Sequence, residues 1–271
     1  MRFLTVSHPR DEWLRDFVPT LEAIKLQNVD IFTFWQRFPD VTPHYDYRME
    51  WDNVAVLEVK SFEDWWERVG KKTRNMVRKA EKSGVKVRIV EPNNEFFDGV
   101  TRIFNEKPIR QGKRFPHYGK TLIDVKKGYA NCLDQTQNTF IGAYHESELI
   151  GFIHLIHTDK YSIMSNILCF EKHLDKAPMN ALIAKAVKIC SEMGVKYLIY
   201  EKMGGGSLGE FKRHNGFVKR LVPRYYIPLT LKGKVGLALN LHHGWRGLIP
   251  ERLKPTLRVM RGWFYEKLAT C

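Results

Sequence analysis

A carboxylate beside a glycine-rich turn has the type and position that proton transfer requires. Glu201 directly follows the apolar run 195–200, which predicts a strand, and precedes the glycines at 204–206. The end of a strand is where open α/β sheets present their chemistry, so Glu201 could deprotonate or orient an incoming ammonium group. The alternative is that Glu201 pairs with a neighbouring lysine and has no further role. Tyr200, the last residue of the run, is a candidate substrate contact.

A lysine follows the same glycines. Lys212 belongs to a predicted short helix around Leu208 to Arg213, next to Phe211, a candidate core anchor and substrate contact. Glycine lets a backbone pass close to a ligand. We therefore expect the Lys212 ammonium to stabilise an oxyanion or a phosphate without being buried, and to be dispensable for folding. The alternative is a surface lysine on a short helix.

A basic loop at residues 107–120 is the predicted acceptor-binding segment. Arg110 and Arg114 can bind phosphate or carboxylate through two hydrogen bonds each, and Tyr118 and Phe115 can stack on a sugar or a base. A solvated charged loop is the alternative interpretation.

Polar residues of the predicted strands are weaker candidates. Asn166 and Ser165 belong to the run 161–170 and could line the same pocket. His154 and His157 stand three apart on one strand, so they face opposite sides and cannot form a metal pair from that strand. One of them could be a base, but a core or edge histidine with its hydrogen bonds satisfied is the simpler interpretation.

Composition limits the class of protein. The 44 Lys and Arg against 30 Asp and Glu give a formal charge of +14, which attracts phosphate-rich partners such as tRNA, nucleotide-linked sugars or anionic membranes, although it can also serve solubility alone. The four cysteines contain no CxxC pair, so neither a zinc site nor a disulfide framework is indicated, and we expect no metal and no required cofactor. No apolar run suits a signal peptide or approaches the ~20 residues of a membrane span, so we expect a cytoplasmic protein.

The order of predicted elements is that of an α/β protein. A strand over 45–59 precedes a helix capped at Ser61 that stops at Gly70, and a second helix capped by Thr73 and closed by Gly84. The later predicted elements are a strand at 85–90, helices at 96–105 and 122–133, strands at 139–144, 149–157 and 161–170, a helix at 179–193, a strand at 195–200, a short helix at 208–213 and a strand at 217–229.

Two stretches resemble one family. Residues 71–85 (KKTRNMVRKAEKSGV) resemble the pattern before the core strand of Fem-type peptidyl transferases, which attach amino acids from aminoacyl-tRNA to peptidoglycan precursors. Residues 197–201 (YLIYE), a glycine-rich turn and residues 208–217 (LGEFKRHNGF) are similar to the strand, turn and Phe-Lys-x-x-x-Gly-Phe segment of that family. In the family pattern the Phe-Lys pair contacts the aminoacyl end of the tRNA, which places Phe211 and Lys212 in that role.

The resemblance implies the GNAT fold, an α/β fold with a mixed, mostly antiparallel central sheet flanked by helices. It covers roughly residues 53–230. The corresponding domain prediction is an N-terminal segment, 1–52, packed on the core, a GNAT-like acyltransferase domain, 53–230, and a basic amphipathic extension, 231–271.

One segment departs from ordinary GNAT acetyltransferases. Those enzymes place a glycine-rich loop between the third strand here and the next helix, and its backbone N–H groups hold the pyrophosphate of CoA. Residues 171–180 contain no glycine, which makes close backbone approach harder. Lys172 and Lys176 with the helix start could still hold one phosphate. Acetyl-CoA is therefore disfavoured as a donor.

Two basic segments are candidate contacts for phosphates. In the helix around 71–82 the candidate donor-binding residues are Lys72, Arg74 and Arg78. Residues 246–265 combine basic side chains with apolar residues at helical spacing. They could lie on an anionic membrane, or form a helix packed on the domain.

The patterns and the resemblance together predict an acyl or aminoacyl N-transferase that acts on an amino group of a phosphorylated, lipid-linked or cell-envelope glycan precursor. No serine or cysteine stands out as a nucleophile, so direct attack in a ternary complex is the simpler mechanism. Aminoacyl-tRNA is a possible donor. The alternative enzyme is an acetyl-CoA-dependent N-acetyltransferase. The alternative outside enzymes is a basic RNA- or DNA-binding module, although no helix-turn-helix, zinc finger or RNP pattern is present.

Overall fold

A computed structural model describes residues 4–9, 12–17, 29–132, 137–244, 256–257 and 260. Contacts divide the chain into two compact units. The central unit comprises residues 54–220, and the terminal unit joins 1–53 to 221–271. The predicted transferase domain, 53–230, ends ten residues beyond the central unit. Among the described residues, no helix has the length and the apolar character needed to cross a membrane.

The regular elements are numbered along the chain. The strands are β1 (Val6–Ser7), β2 (Ile31–Trp35), β3 (Arg48–Glu58), β4 (Lys86–Val90), β5 (Ile109–Arg110), β6 (Lys113–Arg114), β7 (Asn138–His145), β8 (Glu148–His157), β9 (Ser162–Cys169), β10 (Tyr197–Ile199) and β11 (Val218–Pro228). The helices are α1 (Phe62–Arg68), α2 (Lys71–Lys82), α3 (Asn94–Phe104), α4 (Leu122–Tyr129), α5 (Pro178–Glu192), α6 (Gly206–His214) and α7 (Leu231–Ala238). Short 3-10 helices cover Ala130–Cys132, Glu171–Lys176 and Leu241–His243.

The central unit is built on a mixed sheet. Its strand order is β3, β10, β9, β8, β7, β4. The pair formed by β9 and β10 is parallel, and the pairs on either side of it are antiparallel. The predicted mixed, mostly antiparallel sheet is therefore confirmed.

Helices cover both faces of this sheet. On β8, Phe152 lies 6.0 Å from the ring of Phe96 in α3, whereas a Cβ on Gly151 would stand 3.3 Å from Leu182 in α5. Since successive strand residues point to opposite faces, α3 and α5 cover opposite faces of β8. Burial on both faces explains the apolar run of β8, because burying a side chain such as Phe152 stabilises the fold by roughly 2 kcal/mol.

The two helices before β4 follow local capping rules with one exception. Ser61 accepts a hydrogen bond from the N–H of Asp64 at 3.0 Å, as predicted, and Gly84, with φ of +78°, follows the end of α2. The prediction that Thr73 caps α2 is wrong. Gly70 is the N-cap residue, and Thr73 lies inside the helix, where its hydroxyl donates to the carbonyl of His214 at 2.7 Å.

The terminal unit contains strands that the sequence did not reveal. β1 pairs in parallel with β2, and β2 pairs antiparallel with β11. All five residues of β2 are buried, so the run shows no alternation that would distinguish a strand from an aromatic cluster. Most of residues 246–265 lie outside the described residues; Leu257 and Met260, which are described, are exposed.

Candidate functional site

The strands β9 and β10 separate at the centre of the sheet. Leu198 pairs with Ser162 and Ile199 with Ile163, after which β10 ends while β9 continues to Cys169. The chain that leaves β10 stays beside β3, because Tyr200 N–H donates to the carbonyl of Ala55 at 2.9 Å, and Ala55 N–H donates to that of Glu201 at 2.7 Å. The residues after β10 are therefore drawn away from β9. Tyr200 and Glu201 stand at this separation.

Lys212 extends from α6 to the end of β10. Its Nζ donates to the backbone carbonyls of Tyr200 at 2.6 Å and Lys202 at 2.7 Å. Nζ also lies 3.9 Å from the centroid of the Tyr200 ring. The residue is only 1% exposed. The expectation of an unburied lysine is therefore wrong: Lys212 ties α6 to the segment that follows β10.

Burial changes the acid–base properties of this contact. Desolvation lowers the pKa of Lys212 to about 8, and the Glu201 carboxylate nearby opposes that shift. Burial, with a smaller contribution from Glu201, raises the pKa of the Tyr200 hydroxyl well above its usual value. Tyr200 therefore stays neutral at physiological pH, whereas Lys212 titrates close to it. A neutral amine still carries two N–H groups, enough for both backbone carbonyls.

Glu201 is exposed and holds an unusual backbone conformation. Its φ is +45°, in the left-handed region that residues other than glycine rarely adopt. Gly204 and Gly206, each with φ of +64°, shape the turn that follows. A Cβ on Gly209 would stand 2.8 Å from the carbonyl oxygen of Gly204, so α6 packs directly on the turn. The carboxylate is thus carried by a segment whose backbone is fixed on both sides.

The C-terminal end of α6 is anchored by residues that the sequence did not single out. Asn215 is fully buried; its carbonyl accepts from Trp65 Nε1 at 3.0 Å, and its side-chain oxygen accepts from Asn180 Nδ2 at 3.2 Å. The side-chain amide of Asn215 in turn donates to the carbonyl of Phe211 at 2.8 Å. Phe211 is half-buried against the core of the central unit, as the anchor interpretation expected. Together these bonds fix the helix that carries Lys212.

The basic loop is partly ordered by its own arginine. Residues 109–114 form the β5–β6 hairpin. Arg110 donates to the carbonyls of Ile103 at 2.8 Å and Cys169 at 3.1 Å, and pairs with Glu106 at 3.0 Å. Its guanidinium also lies 5.1 Å from the centroid of the Phe115 ring. These contacts engage the Arg110 guanidinium within the chain, whereas Arg114 and Tyr118 are exposed on the same loop.

A carboxylate from elsewhere in the chain is bound by the segment that follows β9. The carboxylate of Glu106 accepts the backbone N–H groups of Glu171 at 2.8 Å and Lys172 at 3.2 Å. In ordinary GNAT acetyltransferases the loop at this position binds the CoA pyrophosphate through its backbone N–H groups. Two of those groups are therefore already used within the chain.

The two lysines of this segment also have acidic neighbours. Nζ of Lys172 donates to the Glu148 carboxylate at 3.1 Å, and Nζ of Lys176 lies 3.6 Å from Asp175. Lys172 remains largely exposed in this pair, and exposed pairs of this kind are weak and exchange easily. Both lysines of this segment therefore lie close to a carboxylate.

Arg74 and Arg78, two of the three α2 residues predicted to bind the acyl donor, contact other residues of the chain. Arg74 donates to the carbonyls of Trp66, Glu67 and Val69, the last at 2.6 Å, and so satisfies the C-terminal end of α1. Arg74, predicted as a phosphate contact, is thus engaged within the chain. Arg78 lies 5.5 Å from the centroid of the Trp66 ring and stays exposed. The exposed lysines of α2 are Lys71, Lys72, Lys79 and Lys82.

The strand histidines are core residues. His154 is 1% exposed, its Nε2 donates to Asn138 Oδ1 at 2.8 Å, and burial lowers its pKa to about 4. His157 is buried between hydroxyl groups, with Nδ1 2.7 Å from Ser162 Oγ. Asn166 is half-buried and pairs in register with His154, beside a bulge in the β8–β9 ladder. Both imidazole rings thus contact polar side chains of neighbouring strands inside the central unit.

The comparisons with known proteins bear on the fold. No family model and no curated protein matches the chain. Among solved structures, FemX superposes with a TM-score of 0.55 at 10% identity, over 74% of this chain and 66% of that one. L-PGS from Bacillus licheniformis gives 0.52 at 16% identity, over 78% and 72% of the two chains.

A third structure gives the same result. It is the C-terminal domain, DUF2156, assigned to lysylphosphatidylglycerol synthetase from Agrobacterium fabrum, with a TM-score of 0.52 at 15% identity over 78% of this chain and 72% of that one. The chain thus has the GNAT-like fold of FemX and the L-PGS domains. It contains the mixed sheet, the flanking helices and the separation of β9 from β10 described above.

Proposed function

We propose that the chain is an acyl or aminoacyl N-transferase in which an amino group attacks the donor carbonyl directly, within a ternary complex. The observation that carries this proposal is the arrangement at the end of β10, where an exposed carboxylate, Glu201, stands on a segment that the buried Lys212 holds in place. The fold shared with FemX and L-PGS supports a transferase in general.

The proposed reaction needs a base and a rigid site. An amine attacks only in its deprotonated form, so Glu201 first accepts a proton from the acceptor ammonium, and the neutral nitrogen then bonds to the donor carbonyl carbon. The tetrahedral intermediate collapses when the bond to the donor's leaving oxygen or sulfur breaks, and the second proton lost by the nitrogen goes to that leaving atom. In this mechanism Lys212 is a positioning residue, because its hydrogen bonds go to the backbone carbonyls of Tyr200 and Lys202.

A donor other than CoA is favoured by the segment after β9. CoA binding by the usual route would need the backbone N–H groups there to contact a pyrophosphate. The Glu106 carboxylate already accepts two of them, and its negative charge would repel a second anion. Since Arg110 pairs with the same carboxylate at 3.0 Å, displacing Glu106 would also disturb the β5–β6 hairpin.

The surface charge favours a phosphate-rich donor such as aminoacyl-tRNA. The formal charge of the chain is +14, and α2 presents Lys71, Lys72, Lys79 and Lys82 to solvent. Lysines of this kind attract a nucleic-acid backbone and give affinities that fall as salt rises. Arg114 and Tyr118 remain the candidate acceptor contacts.

The acceptor we propose carries phosphate. The name lysylphosphatidylglycerol synthetase, borne by one of the similar structures, describes an amino acid joined to a phospholipid. By analogy, a lipid-linked or otherwise phosphorylated cell-envelope precursor with a free amino group would suit a basic surface. Arginine at 114 can contact such a phosphate through two parallel hydrogen bonds.

The proposal is tested by transfer of a label. Purified protein is incubated with a total tRNA pool charged with labelled amino acids, or with labelled acetyl-CoA, and with amine-bearing envelope precursors. We expect label in the precursor fraction from charged tRNA only, and a loss of transfer in Glu201→Gln but not in Glu210→Gln, an exposed glutamate on α6. Transfer from acetyl-CoA alone, or equal transfer by both variants, would overturn it.

A further inference from the structure

Three potential metal ligands meet in the terminal unit. Glu50 lies on β3, and His242 and His243 lie in the 3-10 helix Leu241–His243 that follows α7. The Nε2 atom of His242 is 2.8 Å from Glu50 Oε1, and that of His243 is 2.9 Å from Glu50 Oε2. All three ligand atoms lie within 4.8 Å of one another. Two imidazoles thus face one carboxylate.

The surroundings hold this cluster in place. The ring of His242 packs against Tyr226 with centroids 4.6 Å apart, and its side chain is fully buried. Arg48, which shares a face of β3 with Glu50, donates to the carbonyl of Leu237 at 2.7 Å and to Asn240 at 2.5 Å. Arg48 on β3 therefore holds the chain just before the histidines through hydrogen bonds. His243 is 46% exposed, which leaves a path from solvent.

We propose that Glu50, His242 and His243 form a binding site for a divalent transition metal ion of the zinc class. Two imidazole nitrogens and a carboxylate oxygen are ligands that such ions prefer, and solvent would complete the coordination. Zinc bonds of about 2.0–2.1 Å at tetrahedral angles require ligand atoms roughly 3.3 Å apart, so small side-chain rotations suffice.

Metal binding would fix the tautomer of His242. Coordination through Nε2 leaves the ring proton on Nδ1, and Nδ1 of His242 is buried without a hydrogen-bond partner among the described residues.

Charge and hydrogen bonding limit the affinity. Arg48 Nη2 lies 3.8 Å from Glu50, so its positive charge opposes a cation. The unpartnered Nδ1 of His242 adds a further cost. We therefore expect binding in the micromolar range rather than the far tighter binding of closed structural zinc sites.

The test uses the full chain without a polyhistidine tag. Calorimetric titration with Zn²⁺ should give one site per chain in the parent, and the melting temperature should rise with Zn²⁺ but not with Mg²⁺, which prefers oxygen ligands. His243→Ala and Glu50→Gln should each weaken binding at least ~10-fold. His214→Ala, an exposed histidine on α6, is the control and should bind like the parent.

A spectroscopic measurement distinguishes this site from scattered surface binding. Co²⁺ in a site with two histidines and a carboxylate should give visible d–d bands in the parent and in His214→Ala, and these should be lost in His243→Ala. Equal Zn²⁺ affinity in parent and His243→Ala, or the absence of Co²⁺ bands in the parent, would overturn the proposal. Because His243 is half exposed, its removal should leave the fold intact and the result interpretable.

Discussion

Replacing Lys212 by methionine should destabilise the protein, because Lys212 is a buried hydrogen-bond donor. Methionine keeps a similar length and volume, so little cavity forms. The lost bond to Tyr200 is buried, and an unsatisfied buried carbonyl costs about 1–3 kcal/mol. The carbonyl of Lys202 is only partly buried and can accept a water instead. We expect the free energy of unfolding to fall by about 2 kcal/mol at pH 7.

The loss should grow at high pH. The folded pKa of Lys212 is about 8 against 10.5 for a free lysine, so between these values the unfolded chain binds more protons than the folded one. Stability from this group therefore rises with pH across that window. The difference between parent and Lys212→Met should widen by up to about 3 kcal/mol between pH 8 and 10.5.

Urea denaturation at several pH values measures both effects. Lys219→Met, at an exposed position on β11, is the matched control and should unfold like the parent throughout. If Lys212→Met unfolds at the parent's urea midpoint at every pH, the buried contact with the end of β10 is refuted. Lys212 would then be the surface lysine of the alternative interpretation.

Three further changes have defined outcomes. Glu201→Gln should reduce transfer by ~100-fold or more with an unchanged melting curve, since Glu201 is exposed; equal turnover would exclude it as the base. Gly209→Ala should destabilise by about 1–3 kcal/mol in thermal melts, because the new Cβ would stand 2.8 Å from the Gly204 carbonyl; a parent-like melt would refute that packing. Reversing Lys72 and Lys79 to Glu should weaken tRNA binding and flatten its salt dependence in filter binding, whereas unchanged affinity would make α2 a solvated face.

Much of the central unit could be predicted from local sequence rules. Apart from the β5–β6 hairpin, which lies in the predicted basic loop, the strands and helices from β3 to β11 follow from apolar periodicity, from the Ser61 cap and from the glycine at 84, and their ends shift by only a few residues. These signals act over a few neighbouring positions, so the sequence contains them in full. The buried aromatic run of β2 lacks such a signal, because both of its faces are covered.

The contacts of the site could not be predicted in the same way. Lys212 and Arg74 both bond to backbone carbonyls, and every residue has a carbonyl, so no side-chain pattern marks the partner. The glycine-rich turn and the family resemblance predict a ligand contact for Lys212, and the basic composition of the helix around 71–82 predicts one for Arg74. Glu106 was not singled out either, although it reaches the N–H groups of Glu171 and Lys172 across 65 and 66 positions of the chain.

Calorimetric titration of the parent chain with acetyl-CoA tests, without knowledge of the acceptor, whether the donor is a molecule other than CoA. The Glu106 carboxylate on the N–H groups of Glu171 and Lys172 predicts no measurable heat at concentrations where charged tRNA binds. A dissociation constant for acetyl-CoA in the low micromolar range would contradict the account and favour an acetyl-CoA-dependent N-acetyltransferase.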